Sequence, residues 1–163
     1  MTKRIILMRH AKSSWSTGES DHNRPLNKRG RGDAPRVAAA IQQFGWAPDC
    51  VVSSDSQRTR ETWFLMAPIF PNVSVVRFTN RLYHAGVAAV ENEIEGLEPS
   101  SNTVLFLGHN PGWEDVLTRL TGEYVSITTG NALLLEKNDS DWINALYSSK
   151  PWRICAFFRP REL

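Results

Sequence analysis

Short apolar runs alternating with amphipathic stretches constrain this chain more than any other feature. Ile5-Ile6-Leu7-Met8, Cys50-Val51-Val52 and Val104-Leu105-Phe106-Leu107 are each stopped by small or polar residues. Runs this short, apolar on both sides of the pleat, fit strands covered on both faces of a parallel sheet. Between them the apolar residues recur at helical spacing. Ala34, Val37, Ala38, Ile41 and Phe44 predict a helix over 27–44, with Pro35 in its first turns and Gly45 closing it. Trp63, Met66, Ala67 and Phe70 mark one side of a second helix over 56–67. Val87, Val90, Ile94 and Leu97 mark a third over 86–97, with Glu91, Glu93 and Glu95 on its solvated face. A fourth buries Trp113, Val116, Leu117 and Leu120, with Asn110 as N-cap and Pro111 in the first turn. Strands are expected over 50–54, 73–78, 103–108, 132–135 and 153–158. The last two, joined by a polar turn around 138–141, would add an antiparallel edge. The expected architecture is α/β: one domain over residues 1–163, a three-layer sandwich with a mainly parallel sheet flanked by helices.

Bulk properties narrow the function classes. The 163 residues are 41% hydrophobic and 22% charged without low-complexity tracts, as in a soluble globular domain. The net charge of +2 hides an asymmetry, because residues 1–36 hold nine Lys/Arg against three Asp/Glu. A cationic segment around Arg9 fits an anionic small ligand, while Lys28, Arg29 and Arg31 read as a solvated basic face. No nucleic-acid motif is present. The apolar run after Met1-Thr2-Lys3-Arg4 is too short for a signal peptide or a membrane span, so a cytoplasmic location is expected. Cys50 and Cys155 lie in apolar runs without a Cys-x-x-Cys pair and are expected to be buried free thiols.

The chemistry sits where strands end. Arg9-His10 follows the first run, Arg58 the second and His109 the third. If these strands are parallel neighbours, their ends share the sheet edge at which open α/β folds bind ligands. The polar stretch over 11–26 is a long loop, a frequent carrier of function. Phosphate-loop, dinucleotide, serine-elbow, zinc-helix and Cys-x5-Arg motifs are all absent. A neutral His10 is a plausible nucleophile toward phosphorus. Arg9 and Arg58 offer planar forks for phosphoryl oxygens, His109 as an imidazolium adds positive charge, and the helix amides after Asn110 can face an anion. This chemistry requires neither metal nor cofactor. Taken singly, such a histidine is more often a satisfied structural group and such an arginine a surface charge; the weight lies in their coincidence at several strand ends.

Together the blocks resemble a known family. Leu7-Met8-Arg9-His10-Ala11 is similar to the signature of the histidine phosphatase superfamily, with Ala11 in place of the usual Gly. Ser54-Asp55-Ser56-Gln57-Arg58-Thr59-Arg60-Glu61-Thr62 resembles its second block and Gly108-His109-Asn110 its third. Within the superfamily, Asp21-His22-Asn23-Arg24-Pro25-Leu26 and Arg9-His10-Ala11-Lys12-Ser13-Ser14-Trp15 resemble the small SixA-type phosphohistidine phosphatases. The resemblance implies a phosphoglycerate mutase-like fold and a phosphohistidine intermediate on His10. It places Arg9, Arg24, Arg58 and His109 in a phosphate pocket with Asp21 nearby.

Two departures bear on the substrate. Larger members carry a general-acid Glu soon after the third strand, yet no Glu occurs between 62 and 90, and His84 stands about where it would be. The proton donor is left as Asp21, His84 or water. Asp21 reads equally well as an ion-pair partner of Arg24, and His84 as an ordinary loop residue. Only 46 residues separate Thr62 from His109, too few for a large cap over the site. Lys12 and Trp15 would line the rim or, for Trp15, anchor the loop in the core. The expected activity is a metal-independent phosphatase acting on protein phosphohistidine. The alternatives are a phosphomonoesterase for sugar or nucleotide phosphates and a phosphate-binding module without turnover. The sequence carries no indication of oligomeric state.

Overall fold

Ile5, Ile6, Leu7 and Met8 are wholly buried because β1 (Thr2–Arg9) runs through the middle of the sheet. The computed structural model describes residues 1–163. The strand order is β3 (Val75–Thr79), β2 (Cys50–Ser54), β4 (Thr103–Gly108), β1, β5 (Ala132–Asn138) and β6 (Arg153–Phe158). The first four strands in that order pair in parallel, β5 pairs antiparallel to β1, and β6 antiparallel to β5. The mainly parallel sheet and its antiparallel flank are those read from the sequence.

Alternation along β1 divides the core into two layers. Ile5 and Leu7 join Val104, Phe106, Val90, Ile94, Trp113, Leu117 and Trp142 beneath α3 (Val87–Glu95), α4 (Gly112–Thr121) and α5 (Trp142–Tyr147). Ile6 and Met8 join Val51, Leu105, Leu107, Val37, Ile41, Trp63 and Met66 beneath α1 (Lys28–Gln43) and α2 (Gln57–Met66). Each of these large apolar side chains contributes about 1.5–3 kcal/mol by leaving water. Burial on both faces explains why the strands read as unbroken apolar runs. None of the helices is long and apolar enough to cross a membrane.

Several local expectations are corrected. The segment read as a turn around 138–141 continues into α5, capped by the Asp141 carboxylate on the Asn144 amide; six residues are too few to show a helical period. Glu93 is buried, not solvated, because Arg77 of β3 reaches across to pair with it. Asn110 does not cap α4: Pro111, after a cis peptide bond, takes that position, and the Asn110 amide turns to Glu114 and Ile127. Cys155 is only partly buried, whereas Cys50 is buried. Helix α1 starts at Lys28, where Asn27 caps the Gly30 amide, and runs through Pro35 without a break.

Helix α1 is pressed against the loop that follows β1. A Cβ on Gly30 would stand 2.1 Å from the Lys12 carbonyl oxygen, a backbone atom with no room to retreat. Gly32, one residue beyond, has open space around it. Gly30→Ala should therefore destabilise the fold by about 1–3 kcal/mol through overpacking. Gly32→Ala should stabilise it by about 0.5–1 kcal/mol by lowering the entropy of the unfolded chain. Urea denaturation of the two variants checks this opposite pair of signs.

Candidate active site

The neighbouring strands β1 and β4 send their chains to opposite faces, β1 toward α1 and β4 toward α4, which opens a crevice at their carboxyl ends. Arg9 is in register with Gly108, and the His10 amide donates to the Gly108 carbonyl at 3.1 Å. His10 and His109 therefore emerge side by side, with ring centroids 5.4 Å apart. Arg58 arrives from the first turn of α2, its guanidinium 3.3 Å from His109 Nδ1. Thr62 ties this helix to the strand end: its hydroxyl accepts the Ala11 amide at 3.1 Å and donates to the Arg58 carbonyl at 2.7 Å. The loop over 11–26 folds back through a bridge between Ser13 and Leu26 and a 3-10 turn over Asp21–Asn23. It delivers Arg24, which donates to Ser13 Oγ at 2.7 Å and the Ser14 carbonyl at 3.2 Å.

Hydrogen bonding fixes the two imidazoles. The Ala11 carbonyl accepts from His10 Nδ1 at 2.7 Å, so Nδ1 carries the proton and Nε2 keeps a free lone pair. Arg58 can only donate, so His109 Nδ1 accepts from it and Nε2–H donates to Ser54 Oγ at 2.8 Å. His109 is thus a neutral imidazole in this arrangement. Burial is the main cause: it lowers the His109 pKa to about 2, with His10 and Arg58 adding to the effect. Burial likewise lowers His10 to about 3, and Arg58, Arg9 and Arg24 push in the same direction.

Asp21 is the anion around which the cations gather. Its carboxylate accepts from Arg24 at 3.1 Å, Arg58 at 3.1 Å, His84 Nε2 at 2.8 Å and the Tyr83 hydroxyl. Its backbone carbonyl accepts from Arg58 at 2.6 Å. Burial on its own would raise the Asp21 pKa. The hydrogen bonds from Tyr83 and His84 and the charge of Arg58 outweigh it and hold the carboxyl well below its usual range. A carboxylate so held is a fixed negative charge, not a reservoir of protons. Tyr83 moves the other way, raised by burial and by its bond to Asp21, and stays a donor.

The residues singled out in the sequence divide into floor and rim. His10, Arg24, Arg58 and His109 are buried, and Arg9 is half-buried with one guanidinium nitrogen on the Ile127 carbonyl at 3.1 Å. The Nε atoms of Arg9 and Arg58 are buried without an acceptor. Asn110 lies at the edge, bonded to Glu114 at 3.0 Å and the Ile127 carbonyl at 2.6 Å. His84 joins the site through Asp21. Trp15 is 76% exposed and so no core anchor; the Arg24 guanidinium lies 3.5 Å from its ring centroid. Lys12 is half-buried, its carbonyl accepting the Asn27 amide at 3.0 Å.

Sequence reasoning assigned no role to Ser54, Tyr83 or Glu114. Ser54 ends β2 and orients His109, a role that its place in the second block does not by itself announce. Glu114 accepts from the Ile127 amide at 2.8 Å and serves as the counter-charge of Arg9. Its position four residues after Asn110, one helical turn, was the available signal. Tyr83 had no signal beyond its place beside His84.

Because the folded protein holds His10 and His109 neutral, the unfolded chain binds more protons between about pH 3 and pH 6.5. Stability should be full above pH 6.5 and fall as the pH drops below it, by at most about 1.4 kcal/mol per pH unit per imidazole. Urea midpoints at pH 7 and pH 5 should differ more for the wild type than for His109→Gln.

Comparison with known proteins agrees with this geometry. The sequence profile of the histidine phosphatase superfamily (branch 1) matches residues 5–82. An uncharacterized chloroplastic protein of Arabidopsis thaliana is 34% identical, over 98% of this chain and 79% of its own length. The SixA protein of Agrobacterium tumefaciens, a candidate phosphohistidine phosphatase, superposes with a TM-score of 0.81 at 26% identity, covering 97% of this chain and 98% of the other. The protein histidine phosphatase SixA complexed with tungstate shares the fold at a TM-score of 0.82 and 19% identity, over 98% of each chain. With its strand-end histidines and arginines in one crevice, this chain belongs to the histidine phosphatase superfamily.

Proposed function

We propose that this phosphatase takes its phosphoryl group from protein phosphohistidine, with His10 as nucleophile. The observation that carries the reading is a His10 whose Nδ1–H is held by the Ala11 carbonyl, leaving Nε2 its lone pair, beside His109 and within the field of Arg9, Arg24 and Arg58. His10 Nε2 attacks phosphorus while Arg9, Arg24 and Arg58 take the three non-bridging oxygens, a charge-assisted arrangement that planar guanidinium groups favour. The Ala11 carbonyl keeps Nδ1–H in place, so phosphorylated His10 is a phosphoimidazolium that departs as neutral imidazole when water attacks. As the phosphoryl dianion enters, its charge favours protonating the neutral His109, which then donates to a phosphoryl oxygen. Asn110, Lys12, Trp15 and His84 border the entering group.

The substrate reading rests on shape and likeness. Between α2 and β4 the chain spends its residues on two 3-10 turns, β3 and α3, which leaves the crevice without a covering lobe. A half-exposed Asp21 and His84 and an exposed Trp15 border a buried floor, a form open to a side chain displayed on another protein. The SixA proteins align over nearly the whole chain at TM-scores of 0.81 to 0.83. The mycobacterial glucosyl-3-phosphoglycerate phosphatase, a small-molecule enzyme, reaches only 0.69. The tungstate held by one SixA is an oxyanion of the kind three guanidinium groups would bind.

Phosphate release from a phosphohistidine-bearing protein in EDTA tests the reading. Wild type should turn over and acquire label on His10 from a phosphodonor, while His10→Ala should fall by about a thousandfold or more. Faster release from glycerol 3-phosphate than from phosphohistidine would make the protein a small-molecule phosphomonoesterase. An unlabelled His10 without turnover would make it a binding module.

A further inference from the structure

His84 is the one residue other than glycine with a left-handed backbone, at φ 48°. Side chains with a Cβ seldom occupy that region, and where they do a surrounding structure holds them there. Here the turn is clamped from both sides. The Thr79 hydroxyl accepts the Arg81 amide at 3.1 Å, and the Tyr83 amide donates to the Asn80 carbonyl at 3.1 Å. On the far side α4 presses on Ala85 so closely that a Cβ on Gly112 would stand 1.8 Å from its carbonyl oxygen.

The clamp aims the imidazole across the mouth of the crevice. Its ring lies 4.3 Å from that of Tyr83 and 4.8 Å from that of His109. Asp21 accepts from Nε2, and Arg58 faces His84 through that same carboxylate. The side chain is 49% exposed, while His109 behind it is buried and His10 lies next to His109 on the crevice floor. Of the three neighbouring imidazoles of His10, His84 and His109, that of His84 is therefore the outermost.

We propose that His84, oriented by Asp21, is the proton donor to the departing imidazole of the substrate; this rests on the phosphohistidine reading. A phosphorylated imidazole leaves as a neutral ring only when its second nitrogen carries a proton. That nitrogen sits a ring's width outward from phosphorus, on the side where His84 stands. An ester instead needs its proton on the oxygen bonded to phosphorus, deeper in the crevice. With Nε2–H committed to Asp21, protonated His84 offers Nδ1–H to the outer nitrogen of the substrate ring. The His10 Nε2–P bond forms, the P–N bond of the substrate breaks, and its electron pair stays with the departing ring. Water then attacks phosphorus, the P–Nε2 electrons return to His10, and the proton that this water sheds passes to solvent, from which neutral His84 Nδ1 takes one back. Phosphohistidine and water are thus converted to histidine and inorganic phosphate, with His84 reprotonated. Asp21 acts as a positioning residue, because it touches His84 and the arginines but not the transferred proton.

His84→Gly tests the proposal cleanly, since glycine is at ease at φ 48° and the turn keeps its backbone. Phosphate release is compared for a phosphohistidine peptide and for p-nitrophenyl phosphate, whose phenolate departs without a proton. The variant should lose at least about tenfold more rate on phosphohistidine than on p-nitrophenyl phosphate. Free imidazole in the buffer should restore part of the phosphohistidine rate. Asp21→Asn should shift the same rate ratio in the same direction and add nothing to it in the His84→Gly background. Equal losses on the two substrates, no loss, or no rescue by imidazole would overturn the proposal and leave His84 a shaping residue. A wild type that hydrolyses p-nitrophenyl phosphate but not phosphohistidine would overturn the substrate reading, and the proposal with it.

Discussion

The pairing of β1 with β4 is the constraint on which the site depends. Arg9 opposite Gly108 sets His10 beside His109, and a slip of one residue would turn every side chain of β1 to the opposite face. The core guards against that slip twice over. Ile5 and Leu7 belong to one apolar layer and Ile6 and Met8 to the other, so any shift in register would mismatch two packed layers at once. The geometry of the imidazoles is thus enforced by residues that never touch a ligand. Thr62 extends the same order to α2 by holding the amide after His10 and the carbonyl of Arg58 with one hydroxyl.

Packing so many cations and imidazoles together carries an electrostatic cost, which the protein meets with two carboxylates and with neutrality. Asp21 faces Arg24 and Arg58, while Glu114 faces Arg9. The imidazoles on the floor are kept uncharged by burial, which is also the state that the proposed attack by His10 requires. One environment therefore limits the repulsion among the charges and keeps a lone pair on His10 Nε2.

The layered α/β architecture, the strand ends and the histidine–arginine constellation were legible in the sequence because each rests on local pattern. Strands buried on both faces are continuous apolar runs, and β2, β4 and β6 fall on the residues that those runs mark. What stayed hidden depends on contacts between residues remote in sequence. Glu93 looks solvated until Arg77 of a neighbouring strand is placed beside it. The neutrality of His109 follows from its burial, and its tautomer from Arg58 and Ser54, 51 and 55 residues away. Helix α5 was too short to announce a period, and Asn110 before Pro111 carried a capping signal that its side chain spends on Ile127 instead. The loop over 11–26 showed its importance by its length and by its Lys12–Trp15 and Asp21–Leu26 segments, while its fold follows from partners on other elements.

Asp21 has a consequence for the end of the reaction as well as for its start. A pocket of bare arginines would grip inorganic phosphate tightly and turn over only as fast as that product escaped. Here the carboxylate already pairs with Arg24 and Arg58. An oxyanion must share or displace those ties, and its net affinity is reduced by what they were worth. On the proposed assignment of the pocket, Asp21 is an internal competitor that favours the return of cleaved phosphate to solvent.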